Sequence, residues 1–192
     1  FYDLQNGMMS DPYDAKNRMN SNSALMSMMF DSTSLGQADA FFNTTRSEGG
    51  LLINVADEKQ GYCYEWGTFD FRRRVDDPKG LMADSNDYTD PGWQVTRQLP
   101  EGAASAFTKE RRENLLALGA KYKGTIDARK MMEIFDVRIP DGGPTFPGGL
   151  DVKTYYTIVA VPKELKLWLR VDGIQPWTEI DLKPLFANQA AS

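Results

Sequence analysis

The chain has 192 residues, 41% of them hydrophobic and 11% aromatic, enough for one compact domain with a real core. A net charge of -5 argues against nucleic acid as a partner, because a polyanion gains nothing by releasing counterions around an acidic protein. With no histidine and a single cysteine, Cys63, the chain excludes Ser-His-Asp and Cys-His catalysis, most zinc sites and any intrachain disulfide. No apolar run approaches the ~20 residues that span a bilayer, so a soluble protein without a membrane partner is expected.

In chain order, the first 30 residues are rich in Met, Asn and Ser and end in ALMSMMF, whose methionines are read as core packing on a helical face. Ser34 with Gln37 three residues on is a capping-box start, and Ala38, Phe41 and Phe42 give one apolar face, which predicts a helix from Leu35 to Thr45. Gly49-Gly50 ends it and the period changes. LLINVAD, GYCYEWG and TFDFRRRV read as short antiparallel strands, with Tyr62, Tyr64 and Trp66 on one face and Cys63 and Glu65 on the other. GLMADS, 80–85, reads as a fourth strand after the Asp76-Asp77-Pro78 turn.

Two helices are expected next. Thr108 can cap KERRENLLALGAKY with Leu115, Leu116 and Leu118 inward, and Thr125 or Asp127 can cap ARKMMEIFDV with Met131, Met132 and Phe135 buried. PDGGPTFPGG must be a loop. TYYTIVAVP and LKLWLRV close the chain as a hairpin around Lys163-Glu164. The fold class is α+β with antiparallel sheets.

Five groups are candidates for chemistry. Cys63 sits mid-strand between two tyrosines with no base available, and reads as a small buried core residue. Asp84, Asp87 and Asp90 recur every third position but lack the glycine and terminal glutamate of a calcium loop, so a solvated turn is expected. Arg72, Arg73 and Arg74 alternate, with Arg72 and Arg74 on one face, and read as solvated edge charges. Asn86 follows Ser85 where an apolar run stops; its amide is either turn punctuation or a donor aimed at a developing oxyanion. Arg111 and Arg112 stand in the first turn of a helix, where a cation is mildly disfavoured unless a carboxylate meets it.

The order of Glu65 on its strand, Ser85-Asn86 at the end of the next, the helix start Thr108-Lys109-Glu110-Arg111 and the tail LKLWLRVDGIQPWTEIDLKPLF resembles one known group. These features are similar to the later part of the acyl-CoA:6-aminopenicillanate acyltransferase-like proteins, relatives of the choloylglycine hydrolases among the N-terminal-nucleophile (Ntn) hydrolases. The resemblance spans most of residues 34 to 186.

It implies a four-layer αββα sandwich and amide hydrolysis or N-acyl transfer through a covalent acyl-enzyme, the nucleophile being the first residue of an autoprocessed chain and its own α-amine the base. That arrangement needs no histidine. Carried over residue by residue, it implies that Asn86 helps form the oxyanion hole and that Arg111, or Arg112 if the helix register slips by one, contributes charge near the nucleophile. Phe1 cannot be that nucleophile. Residues 1–192 are therefore expected to form a single domain, the C-terminal part of an Ntn-like domain, whose nucleophile lies upstream or on a companion chain. Alone, they are expected to be inactive. The expected partners are a small-molecule amide, the segment carrying the nucleophile, and a homo-oligomer that covers any exposed sheet edge. No metal or organic cofactor is implied. The rival reading is a non-catalytic α+β binding or structural module.

Overall fold

A computed structural model describes residues 2–6, 16, 18–68, 70–75, 80–93, 107–147 and 153–187. The chain is α+β with two antiparallel sheets and divides into two compact units, Phe1–Lys109 and Glu110–Ser192.

The first unit is a four-stranded sheet in the order β1 (Tyr2–Asn6), β2 (Leu51–Ala56), β3 (Gly61–Trp66) and β4 (Phe71–Val75), with helices α1 (Ser21–Asp31) and α2 (Leu35–Thr44) on one face. The period of two sorts the side chains. Leu51, Ile53, Tyr64 and Trp66 meet Ala24, Leu25, Met28, Ala38 and Phe42 from the helices in one buried cluster. Phe42 stacks on Tyr64 with ring centroids 4.0 Å apart, and the Trp66 indole donates to the Thr45 carbonyl at the end of α2, at 3.0 Å. The methionine expectation holds for Met28, while Met26 and Met29 are exposed because the helix turns them away from the sheet.

The helix ends follow their capping chemistry. Asn20 caps α1, and the same side chain donates to Glu48, whose carboxylate also accepts from the Ser21 backbone and hydroxyl beside the electropositive end of the helix. Ser34 caps α2 through the Gln37 amide, as expected. The reciprocal half differs: Gln37 Oε1 accepts from Thr33, one residue upstream of the cap.

The expected fourth strand at 80–85 is corrected. Residues 82–85 carry no ladder. They run as part of a non-repetitive segment, 80–93, that lies over the other face of the sheet, where Met82, Tyr88 and Trp93 pack on Leu52 and Cys63. Polar side chains rather than backbone pairing fix it, as described below.

The second unit begins in the first turn of α3 (Thr108–Lys121). It continues through α4 (Ala128–Asp136), a single 3-10 turn at Ile139–Asp141, the strands β5 (Tyr156–Val161), β6 (Lys166–Val171) and β7 (Gln175–Asp181), and α5 (Lys183–Ala187). Thr108 opens α3 as its first helical residue. Of the two cap candidates for α4, Asp127 is the one used, accepting from the Lys130 amide at 2.7 Å. The leucines 115, 116 and 118 are half-buried, and so are Met131, Met132 and Phe135; α4 buries Ile134, which seats its inward seam between the residues expected there.

The loop after α4 is not wholly irregular. Arg138 and Thr145 bridge, and Gly143 lies so close to Val137 that a Cβ would collide with its backbone. The hairpin around Lys163-Glu164 is present. β7 was not anticipated. Asp172-Gly173-Ile174 turns the chain back, with Gly173 at φ 71°, and Pro176 is accommodated because β7 is the last strand in the order of its sheet.

Candidate functional site

The polar face of the first sheet holds a buried charge network that leads to Asn86. Glu65 stands on β3 opposite Arg72, and Cys63 opposite Arg74, so all four share one face. Glu65 has no exposed surface, and an ionised carboxylate in such a place needs partners on every side. It has them. Arg74 Nε donates to Glu65 Oε1 at 2.7 Å, the amides of Thr89 and Asp90 donate at 2.6 and 3.1 Å, and the Trp93 indole N–H donates to Oε2. The other nitrogen end of Arg74 pairs with Asp84 and approaches Cys63 Sγ at 3.3 Å.

One carboxylate on a strand thus organises the backbone of a loop 24 to 28 residues further on. Trp93 is held a second time between Tyr88, stacked at 5.0 Å, and the Arg72 guanidinium, 5.0 Å from its ring centroid. Tyr88 in turn donates to the Trp66 carbonyl at 3.0 Å.

Ser85 is fully buried. Its hydroxyl lies 2.8 Å from Asp87 Oδ1 and 2.6 Å from the Thr108 carbonyl, so one proton is shared between two acceptors. Asn86 falls in the bend between these two buried residues, itself half-buried. The flanks of Asn86 are therefore anchored by side chains of buried residues on both sides.

Two of the expectations for this region are overturned. Asp84 and Asp87 are not solvated turn residues, being 7% and 5% exposed and engaged with Arg74 and Ser85. Nor is Arg74 a solvated edge charge, although the alternation is as expected. Arg73, on the opposite face, reaches Asp39 at 3.0 Å and covers the Tyr62 ring. Cys63 is buried in the core, as expected. Among the described residues no group of acids and thiols could hold a metal ion, and no helix is long and apolar enough to cross a membrane.

Arg111 belongs to the second unit. Its Nε donates to the Pro144 carbonyl at 3.1 Å, its guanidinium lies 4.9 Å from the Phe146 ring centroid, and burial draws its pKa below the ordinary arginine value. Asn114, one turn on, donates to the Gly143 carbonyl, so both residues fasten α3 to the loop after α4. Arg112 is half-buried. No protein-family model matches this chain, and no curated protein sequence matches it.

Sequence reasoning singled out Asn86 and Arg111 but missed the roles of Arg74, Asp84, Thr89 and Trp93. One signal was legible. A glutamate inside the otherwise aromatic strand GYCYEW is a buried charge in need of a cation, and the neighbouring strand of a tight hairpin offers arginines on the same face.

A concavity of about 300 Å³ lies elsewhere, between the end of α1, the start of α2 and the end of β2, with Met28, Leu35, Ala38 and Val55 on its apolar side and Thr33 and Asp57 at its polar rim. Thr33 is engaged with Gln37, and Asp57 accepts from the amides of Lys59 and Gln60, an arrangement that lowers its pKa. Those polar groups are turn chemistry and point to no ligand.

Proposed function

We propose that residues 1–192 belong to an amide hydrolase or N-acyltransferase of the Ntn type, built on the four-layer αββα sandwich and working through a covalent acyl-enzyme. The observation that carries this reading is the seating of Asn86. Its neighbours Ser85 and Asp87 are buried and bonded to one another across it, and the loop beyond is clamped by Glu65. An oxyanion donor works by being held in place before charge develops, so that nothing need reorganise during reaction.

Asn86 supplies the side-chain donor to the tetrahedral oxyanion. The nucleophile lies outside this chain, on an upstream segment or a companion chain. Cys63 does not take that part, because it is fully buried in the sheet.

The alternative, a non-catalytic α+β module, is favoured by a single observation. Glu65, Arg74 and Asp84 are engaged with each other and with the backbone, as in a purely architectural network.

The test is an assay of the full-length gene product and of residues 1–192 alone on N-acyl amino acids, penicillins and bile-acid conjugates, with mass spectrometry for a trapped acyl-enzyme. Turnover and an acyl adduct are expected for the former only. Turnover by residues 1–192 that survives Cys63→Ala would overturn the reading, and so would a full-length protein that never carries an acyl group.

A further inference from the structure

We propose that Arg74 is a positioning residue for Asn86, its one guanidinium tying down both ends of the short loop that carries the amide. The proposal rests on the reading of Asn86 as the oxyanion donor and adds the side chain that holds this donor in place.

The loop leaves the guanidinium and returns to it. At the upstream end Asp84, two residues before Asn86, pairs with Arg74 Nη2. At the downstream end the Thr89 amide, three residues after Asn86, donates to Glu65 Oε1 at 2.6 Å. That same oxygen accepts from Arg74 Nε at 2.7 Å. Asp84, Arg74, Glu65 and Thr89 therefore close a ring that Ser85, Asn86, Asp87 and Tyr88 span. The span is pinned within as well, by the Ser85 hydroxyl on the Thr108 carbonyl and the Tyr88 hydroxyl on the Trp66 carbonyl.

The closure depends on the fork of the arginine. Nε and Nη2 are separate donors in one rigid plane, so the guanidinium itself sets the spacing of the two carboxylates. A lysine ammonium is a point charge on a flexible stem and fixes no such spacing. Burial sharpens the dependence. The side chains of Glu65 and Asp84 are 0% and 2% exposed, so water cannot readily take over either bond. Its two neighbours in the basic run are engaged elsewhere, Arg73 with Asp39 on the opposite face and Arg72 with Asp70.

Opening the ring displaces the donor without removing it, and a shift of about 1 Å in a catalytic group can cost on the order of a hundredfold in rate. A positioning residue acts through the group it holds. The loss on substituting Arg74 therefore cannot exceed the loss of Asn86 itself, and it disappears once Asn86 is gone. A purely architectural ion pair has no such signature.

The test uses the full-length protein as Arg74→Lys, Asp84→Asn and Asn86→Ala, with the first two also combined with Asn86→Ala, and Arg73→Lys as the control on the opposite face. On the N-acyl substrate it turns over, Arg74→Lys and Asp84→Asn should lower kcat by about ten- to a hundredfold with KM within about twofold, and Arg73→Lys should change neither. In the Asn86→Ala background the same two substitutions should change kcat by less than about twofold. Hydrogen exchange followed by mass spectrometry should show the amides of residues 84–90 exchanging at least about tenfold faster in both variants, with residues 51–66 unchanged. If one variant misfolds, the other decides. Losses that add in the double variants overturn the proposal, as does a normal kcat in Arg74→Lys and Asp84→Asn, or exchange of residues 84–90 left at the unsubstituted rate. Failure of the underlying reading looks different: Asn86→Ala then keeps a normal kcat, or no amide is turned over, and the proposal falls with it.

Discussion

Glu65 and Arg74 sit diagonally across the β3–β4 hairpin, joined at 2.7 Å, and from this pair the loop that carries Asn86 takes its shape. Glu65 faces inward without exposed surface, while Arg74 retains 14%. Removing Glu65 takes away one of the two carboxylates that Arg74 meets, the other being Asp84.

Glu65→Ala should destabilise the protein by about 3–5 kcal/mol, because it takes the acceptor from Thr89, Asp90 and Trp93 together and leaves Arg74 with Asp84 as its one acidic partner. Glu65→Gln keeps an acceptor oxygen and should lose less. In urea unfolding, the double variant Glu65→Gln/Arg74→Met should be more stable than the sum of the two single losses predicts.

Asn86 and Asn43 form a matched pair for the oxyanion reading. Asn43 is exposed on α2, its amide donating only to the Asp39 carbonyl one turn back. In the full-length protein Asn86→Ala should lower kcat by roughly two to three orders of magnitude with the unfolding midpoint preserved, and Asn43→Ala should change neither. A loss of about 1 kcal/mol in stability with normal kcat would return Asn86 to a turn role.

Tyr64 gives the fold a pH dependence at the alkaline end. Burial first, and then the neighbouring Asp39 carboxylate to which its hydroxyl donates at 3.1 Å, push its pKa well above the ordinary tyrosine value. A raised pKa in the folded state means that the unfolded chain loses this proton first. The stability contributed is complete below the unfolded value of about 10 and declines as pH rises above it. Tyr64→Phe should cost about 1 kcal/mol at neutral pH for the lost hydrogen bond and should flatten this alkaline limb. The difference between the two pH-stability curves isolates the effect from other tyrosines and lysines.

Cys63 should be inert to thiol reagents in the native protein and react fully once it is unfolded, since it has no exposed surface. Cys63→Ala should cost about 1 kcal/mol and leave activity of the full-length protein unchanged. A native thiol that labels rapidly would show that the sheet opens over this residue.

How far the sequence reached depended on the range of the interactions involved. Alternation in GYCYEW and the Ser34 and Asp127 caps are set by residues within four positions, and these elements appeared where periodicity and capping placed them. GLMADS failed as a strand because its outcome rests on Arg74 and Thr108, which no local window contains. On α4 the expected Met131, Met132 and Phe135 are half-buried, and Ile134 between them is the residue that is fully buried. Asn86 could be singled out from its neighbours, whereas the clamp by Glu65 could not, because spacing along the chain says nothing of a contact formed 24 residues away.

The segment 82–93 has no ladder of its own and is held by Glu65, Arg74 and Thr108 from elsewhere in the chain. That dependence gives it a place in time. Until the hairpin has set β3 in place, the amides of Thr89 and Asp90 and the Trp93 indole lack the Glu65 carboxylate they bond in the folded chain, so the segment is expected to order after the hairpin and as a unit. Substitutions within it should hasten unfolding far more than they slow folding, while substitutions in the hairpin should do the reverse.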